Sequence, residues 1–443
     1  MTSQAQADSA ADRADSEADL SSPDDRAAVH PAADGTAACG PAGGGATAPG
    51  ASEDPAAATA ATPAWTLTGS QLADLELLLS GAFAPLAGFM AEADVTAVVD
   101  SWQLADGTPF PIPVTLDIPA GAIPADASRL ALGDPEGTPL AILEITERTA
   151  VPAPAAGWAS AGRAGRAGAG SGWAGPGAGA GGAAGSAGAG STGAGGAGLA
   201  QAGPDEAGDN GGLVRLAGPV TVNRIPEHGP FRRLMRTPEQ ARAQAPEGPL
   251  LAWAGRGPLH RRQIGQLRHL AGQLKARILV LPLVAGPAEV VTQPESLVRA
   301  TLAAAGSLPS DTRIIPVPLA PRPAGTAGAG QVRELAIRAR IAAAYGATHL
   351  MAESAELAGL ASVAGGYQLP GAPILVLPAG DWAYDPRAEV WRPLSLIEAG
   401  TEQADLSADQ LGDLLDAGAS VPEWFTPPAV ARELRRARPP RSE

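Results

Sequence analysis

The sequence predicts an α/β protein: an N-terminal β-rich barrel region, then a parallel-sheet domain, then a small C-terminal helical segment. Three observations carry this. Between residues 236 and 400, short apolar runs alternate with stretches of helical periodicity, the pattern of a parallel sheet with helices on both faces. Between residues 63 and 150, short strand-like runs lie close together and are separated by turn residues. Two long stretches, 1–62 and 151–212, lack the large apolar groups that a packed core needs.

The first 62 residues are rich in Ala, Asp, Gly, Pro and Ser, with ten acidic and two basic side chains, and read as a disordered acidic tail. Trp65–Asp100 follows. Leu72, Leu75, Leu78 and Leu79 recur at helical spacing, with Ser70 placed to cap the helix. Gly81–Met90 reads as a buried turn anchored by Phe83 and Phe89. Phe110–Ile118 alternates like a half-buried strand. Residues 130–134 and 140–145 read as two more strands, joined by the turn Pro135-Glu136-Gly137. Residues 151–212 are dominated by Gly and Ala and read as a low-complexity insertion, after which the β-rich pattern continues over 213–235. Thr237, Pro238 and Gln240 form a helix-start signal: cap, first-turn proline and capping-box partner. Strands are then expected at 250–254, 278–284, 313–319, 348–353 and 373–378, with helices at 259–275, around 294–305 and at 331–344. Residues 401–443 make the C-terminal helical segment.

The 443 residues carry a formal charge of −15, and about half of it lies in the tail. No basic block favours nucleic acid or an anionic membrane. No apolar run approaches the length of a membrane span, and the start has no signal-peptide pattern. The single cysteine, Cys39, excludes a disulfide framework and a cysteine metal site, so a cytoplasmic location is the default. No His/Asp/Glu cluster has metal-ligand spacing.

The chemistry concentrates in Leu250–His269. An apolar strand ends at Ala254, the turn Gly255-Arg256-Gly257-Pro258 follows, and a helix begins near Leu259, where Pro258 suits the first helical position. Arg256 and His260 thus lie where free N–H groups and the positive end of a helix dipole meet, a place for an anion. Ligands in parallel sheets bind at the carboxyl ends of strands, where this turn falls. Arg261 and Arg262 read as a solvated helix face, His228 and His269 as surface residues, His349 as structural, and Trp424 and Phe425 as packing anchors.

These residues resemble the ATP sulfurylase (sulfate adenylyltransferase) family. Its motif Gln-x-Arg-Asn-Pro-x-His-x-x-His is similar to Ala254–Gln263, where Arg256, Pro258 and His260 match, while Ala254, Gly257 and Gln263 replace the Gln, the Asn and the second His. Asp74-Leu75-Glu76 with Gly81–Met90 is similar to the family's N-terminal signature, with one change at Ala84. Arg236-x-Pro238 with Arg242, Pro318–Gly325 with Arg322, Arg333-Glu334, Tyr345–His349 and Val421–Phe425 continue the likeness in the family's order. Glu353–Gly359 stands where the family has Gly-Arg-Asp-His-Ala-Gly, so that Arg and His are absent. No Gly-x-x-x-x-Gly-Lys-Ser/Thr loop is present for a fused adenylyl-sulfate kinase.

The resemblance implies a PUA-like β-barrel at 63–150 and a Rossmann-like nucleotidyltransferase domain at 236–400. It implies the reaction of ATP with sulfate to give adenylyl sulfate and pyrophosphate, with Mg²⁺ arriving on the ATP and no resident cofactor. Arg256 and His260 would be the catalytic residues, and Arg256, Gly257, His260, Gln263 and Arg322 would touch substrate or nucleotide. The partners implied are ATP and sulfate or another small anion, without nucleic acid or membrane; a homo-oligomer is compatible with the likeness. Two readings stay open: a sulfate adenylyltransferase of weak or altered activity, and a catalytically silent relative that binds a nucleotide or a partner protein.

Overall fold

The computed structural model describes residues 62–151, 212–224, 231–245, 247–285, 293–322, 329–401 and 403–438. The acidic tail up to residue 61, the Gly/Ala-rich stretch 152–211 and His228 lie outside the described residues.

The N-terminal part is β-rich. It contains β1 (Ala64–Thr66), α1 (Gly69–Leu79), β2 (Gly88–Phe89), α2 (Glu92–Ser101), β3 (Leu116–Pro119), β4 (Arg129–Gly133), β5 (Pro139–Glu144), β6 (Glu147–Val151) and β7 (Leu213–Val222). The ten-residue β7 is its spine, pairing antiparallel with β2, β3, β5 and β6. The β4–β5 hairpin forms where the turn signal at 135–137 places it. Gly88 pairs with Pro219 and Gly218 with Phe89; a Cβ on Gly88 would overlap the Gly218 carbonyl and one on Gly218 the Glu144 carbonyl, so both positions need glycine. Two expectations need correction. The cap of α1 is Thr68, whose hydroxyl accepts from the Gln71 N–H while the Gln71 side chain accepts from the Thr68 N–H; Ser70 is already helical. The strand expected over Phe110–Ile118 shrinks to Leu116–Pro119. Pro111 and Pro113 lack the N–H that a ladder needs, and residues 110–114 are buried at every position instead of alternating.

After α3 (Pro238–Ala243), capped by Thr237 and Gln240 as expected, the parallel sheet begins. Its elements are β8 (Leu250–Gly255), α4 (Arg261–Leu274), β9 (Arg277–Pro282), α5 (Pro294–Ala304), β10 (Arg313–Ile314), α6 (Ala329–Ala344), β11 (His349–Ala352) and β12 (Leu375–Pro378). All four pairings are parallel, and the spatial order is β10-β9-β8-β11-β12. The chain winds outward from β8 to β10, then returns to the other side of β8, so the topological switch lies between β8 and β11.

The strands read as continuous apolar runs because both faces are covered. Leu251, Ile278, Val280 and Met351 pack with Ile264, Leu267 and Ala271 of α4 and with Ala300 and Ala304 of α5. Their neighbours Ala252, Leu279, Leu281 and Leu350 pack with Leu335 and Ile341 of α6 and with the core of the β-rich region. One apolar core therefore runs from the N-terminal part onto the α6 face of the sheet. A hairpin absent from the sequence reading, β13 (Trp382–Asp385) and β14 (Val390–Pro393), folds antiparallel beside α4. The C-terminal helices α7 (Ala408–Asp416) and α8 (Pro428–Ala437) pack on the α4/α5 face. Among the described residues, no helix is long and apolar enough to cross a membrane.

Candidate functional site: the carboxyl edge of the parallel sheet

β8 delivers Arg256 at its carboxyl end, one residue past Gly255. The helix that follows starts later than its proline suggests. Arg261 is the first helical residue and His260 the cap, in extended backbone at φ −87° and ψ 172°. Pro258 is therefore part of the turn, a correction to its expected place in the first helical position. No cap hydrogen bond comes from the His260 ring. Its ring lies 4.3 Å from that of Phe425, and the Phe425 carbonyl accepts from the Arg261 N–H at 3.0 Å. The Val-Pro-Glu-Trp-Phe motif of the C-terminal segment thus locks the entry to α4. Among the described residues the buried His260 Nδ1 meets no hydrogen-bond partner. Burial, and then the charge of Arg262, push the imidazole down to about 3, so at neutral pH it is a neutral hydrogen-bonding group and not a cation.

The arginines are all engaged. Arg256 donates through Nη1 to the Leu319 carbonyl at 2.6 Å and through Nη2 to Glu334 Oε1 at 2.9 Å. Arg322 is deeply buried and grips both oxygens of Asp74, one of them at 2.9 Å, in a two-pronged pair. Burial pulls its pKa down. The charge and hydrogen bonds of Asp74, with the charge of Glu334, outweigh that and hold it above the ordinary value. Glu334 therefore stands between Arg256 and Arg322, and one chain of alternating charges runs Asp74–Arg322–Glu334–Arg256.

A second chain crosses the switch between β8 and β11. Arg338 donates to the Ala254 carbonyl at 3.0 Å and pairs closely with Glu356. The other oxygen of Glu356 accepts from the Glu353 N–H at 3.1 Å. The Glu353 carboxylate then accepts from Gln263 Nε2 at 3.2 Å and lies 3.6 Å from Arg262. Gln263 Oε1 is buried and has no partner among the described residues. Arg262 is thus ion-paired, and Arg261, though exposed, donates to the Glu423 carbonyl; neither is a purely solvated helix face.

The expected site residues fall in two groups joined through β8: Arg256 with Arg322, and His260 with Gln263. Gly257 sits in the connecting turn with open space around its Cα. Sequence reading missed the acidic partners Asp74, Glu334, Glu353 and Glu356. For Asp74 the signal was present, since the Asp74-Leu75-Glu76 motif is what reaches Arg322. Glu76, two residues on, is pushed up to about 7 by burial; burial, and then the charge of Glu76, raise the Tyr345 phenol just after α6. His269 is exposed and edge-on to Trp382; His349 bonds Thr348 Oγ1 at 2.9 Å. Among the described residues, no group of three His, Cys, Asp or Glu side chains could hold a metal ion.

Comparison with known proteins agrees with this architecture. Residues 46–153 match the PUA-like domain family, and residues 232–437 match the ATP-sulfurylase family. The chain is similar to the sulfate adenylyltransferase of Deinococcus radiodurans, at 29% identity over 85% of this chain and 90% of that protein. It is 27% identical to the Saccharomyces cerevisiae sulfate adenylyltransferase, covering 85% of this chain and 70% of the relative. For the Mycosarcoma maydis sulfate adenylyltransferase the identity is 26%, over 86% of this chain; this chain spans only 63% of that protein's length. Among solved structures it is similar to a hexameric APS kinase from Thiobacillus denitrificans, with a TM-score of 0.61 and 25% identity over 86% of this chain and 64% of that one.

Proposed function

We propose a function from one premise: the chain belongs to the ATP sulfurylase family. It is a sulfate adenylyltransferase-like protein that binds an adenine nucleotide and a small anion at the carboxyl edge of the parallel sheet, with very slow turnover. In that reaction a sulfate oxygen attacks the α-phosphorus of ATP, the bond to the β-phosphate breaks, and pyrophosphate leaves with the Mg²⁺ that came with the nucleotide. Two polyanions must meet, so catalysis rests on positioning and on preorganised positive charge.

The observation that carries the reading is the pairing of four arginines at this edge with carboxylates, which leaves the exposed Arg261 with only the Glu423 carbonyl among the described residues. Arg256 faces Glu334, Arg322 faces Asp74, Arg338 faces Glu356 and Arg262 faces Glu353. Arg256 keeps its family position, and His260 presents a neutral ring at the start of α4. The charge that the edge offers a phosphate or sulfate is nearly cancelled by internal carboxylates. Removal of one oxyanion donor typically costs about 10²–10³ in rate, and here several family donors are replaced. The Glu353–Glu356 turn also favours the second reading, a nucleotide-binding relative without turnover, because it puts carboxylates where the family carries Arg and His. The hexameric relative makes self-association of this chain the expectation in solution.

The test runs the reaction in its downhill direction. The full chain is given adenylyl sulfate, pyrophosphate and Mg²⁺, and ATP is measured, with His260→Ala beside it. Slow ATP formation that disappears in the variant supports the adenylyltransferase. Adenylyl sulfate bound without any ATP supports the silent nucleotide-binding relative. Neither ATP nor binding overturns the proposal.

A further inference from the structure

We propose that Glu353 is a resident anion: its carboxylate sits at the start of α4, where an external oxyanion would bind, and competes with it. The proposal rests on the carboxyl edge being an anion site, and it goes further by naming the group that closes it.

Three observations place it there. Glu353 follows directly on β11, the strand beside β8 across the topological switch, so its side chain stands over the crevice in which ligands of such sheets bind. Its carboxylate accepts from the Gln263 amide at 3.2 Å and forms an ion pair with the Arg262 guanidinium at 3.6 Å, both from the first turn of α4, where the helix dipole favours negative charge. The carboxylate is also fixed by its neighbours. Glu353 caps the 3₁₀ turn Ser354–Leu357 in a reciprocal capping box with Glu356, and Glu356 is clamped by Arg338, itself tied to the last part of β8. A carboxylate on such a support needs no ordering to stay in place, whereas an incoming anion must displace it and leave it near other negative charge. The crevice would accept pyrophosphate or sulfate once that one charge is gone, because Arg262, Gln263 and the helix start remain.

Glu353→Gln keeps an oxygen for the Gln263 amide and removes the charge. Inorganic pyrophosphate, titrated calorimetrically into the full chain at low salt, is expected to bind about tenfold tighter to Glu353→Gln than to the parent, as freeing one partly screened cation would give. Glu356→Gln should shift binding in the same direction by less, because it loosens the clamp and leaves the carboxylate. Glu353→Asp retains the charge and should bind like the parent. Glu423→Gln removes an acid from the neighbouring C-terminal segment and measures the general effect of net charge. Equal affinity of parent and Glu353→Gln overturns the proposal. So does an equal gain in Glu423→Gln. If Glu353→Gln does not fold, the Glu356→Gln and Glu423→Gln pair decides by the same rule. Adenylyl sulfate, titrated into the same proteins, reports separately on the nucleotide reading: a gain for pyrophosphate without any binding of adenylyl sulfate would keep the resident anion and sink the adenylyltransferase.

Discussion

Helix α6 carries arginines to two regions that treat the same guanidinium group in opposite ways. Arg333 and Arg340, seven residues apart and so on one face, reach into the β-rich region. Arg333 donates to the carbonyls of Val98 and Val99 at the end of α2 and to that of Pro111, and its plane lies 4.1 Å from the Trp102 ring. Arg340 donates to the carbonyls of Ala84 and Pro109 and lies 4.7 Å from the Phe110 ring. Burial pulls both below the ordinary arginine value. Glu334 and Arg338, four apart on another face, point to the carboxyl edge, where charge meets charge. Carbonyl dipoles, a helix C-terminus and aromatic faces hold a cation without cancelling it, so the interface arginines act as structural staples. Carboxylates cancel what they hold. The carboxyl edge, where the anion site is proposed, is therefore the electrically quieter of the two regions.

The sharpest way to break this comparison is to open the pair that joins the regions. Asp74→Asn would leave Arg322 charged and buried without its partner, and breaking one side of such a pair costs about 3–5 kcal/mol. The double variant Asp74→Leu/Arg322→Met should recover much of the loss, because desolvation disappears together with the attraction. Urea unfolding of Asp74→Leu, Arg322→Met and the double gives the coupling, with Asp74→Asn measured beside them. A loss below about 1 kcal/mol in Asp74→Asn would mean that the Glu334 charge alone sustains Arg322, and the two charge chains would have to be redrawn.

Arg333→Met should cost less, about 2 kcal/mol, since it takes the guanidinium from the Val99 and Pro111 carbonyls, while that of Val98 keeps the Trp102 N–H, and it buries no unpaired charge. Arg333→Lys should not restore it, because three N–H groups on one nitrogen cannot at once reach carbonyls that the guanidinium serves from two nitrogens and cover the Trp102 face as a planar fork does. Thermal unfolding followed by tryptophan fluorescence reads both. Full rescue by Lys would show that charge, and not geometry, staples the region.

What the sequence revealed follows from the range of each interaction. The buried strands β8, β9, β11 and β12 and the helices α4, α5 and α6 were legible because a strand covered on both faces must be apolar throughout, and a helix on it must repeat its apolar side. The cap of α3 was legible because its partners are three residues apart. The role of β7 was hidden, since its partners β5 and β6 lie beyond the Gly/Ala-rich stretch. The hairpin β13–β14 was hidden too: its short strands carry no long apolar run, and the turn passes through Glu389 at φ 55°. At the site, Arg256 and His260 stood out because they flank a strand-to-helix turn. Their charge state did not. Asp74 meets Arg322 across 248 positions and Glu334 meets Arg256 across 78, and local pattern carries no information on such pairs.

His260 gives the smallest and most specific test, because it belongs to neither class: a ring at the edge with no counter-charge. Its unfolded-state pKa is near the ordinary 6.5, and its folded value is pushed down to about 3. Between those values the unfolded chain binds the extra proton, so this residue makes stability rise with pH. Its contribution is complete above pH 6.5 and is lost as the pH falls toward 3. Going from pH 7 to pH 5.5 should destabilise the parent relative to His260→Gln by about 1 kcal/mol, since a tenfold difference in proton affinity between the two states is worth about 1.4 kcal/mol and the ring keeps some exposed surface. Urea unfolding of both proteins at the two pH values measures it, and the ring's own NMR titration supplies a second readout. A midpoint near 6.5 would mean that the ring is solvated and can become a cation. His260 would then supply in mild acid the free positive charge that the paired arginines withhold, and pyrophosphate binding should tighten as the pH falls. A ring still neutral at about pH 5 leaves Arg262 and Gln263, behind Glu353, as the groups on which anion binding at this edge depends.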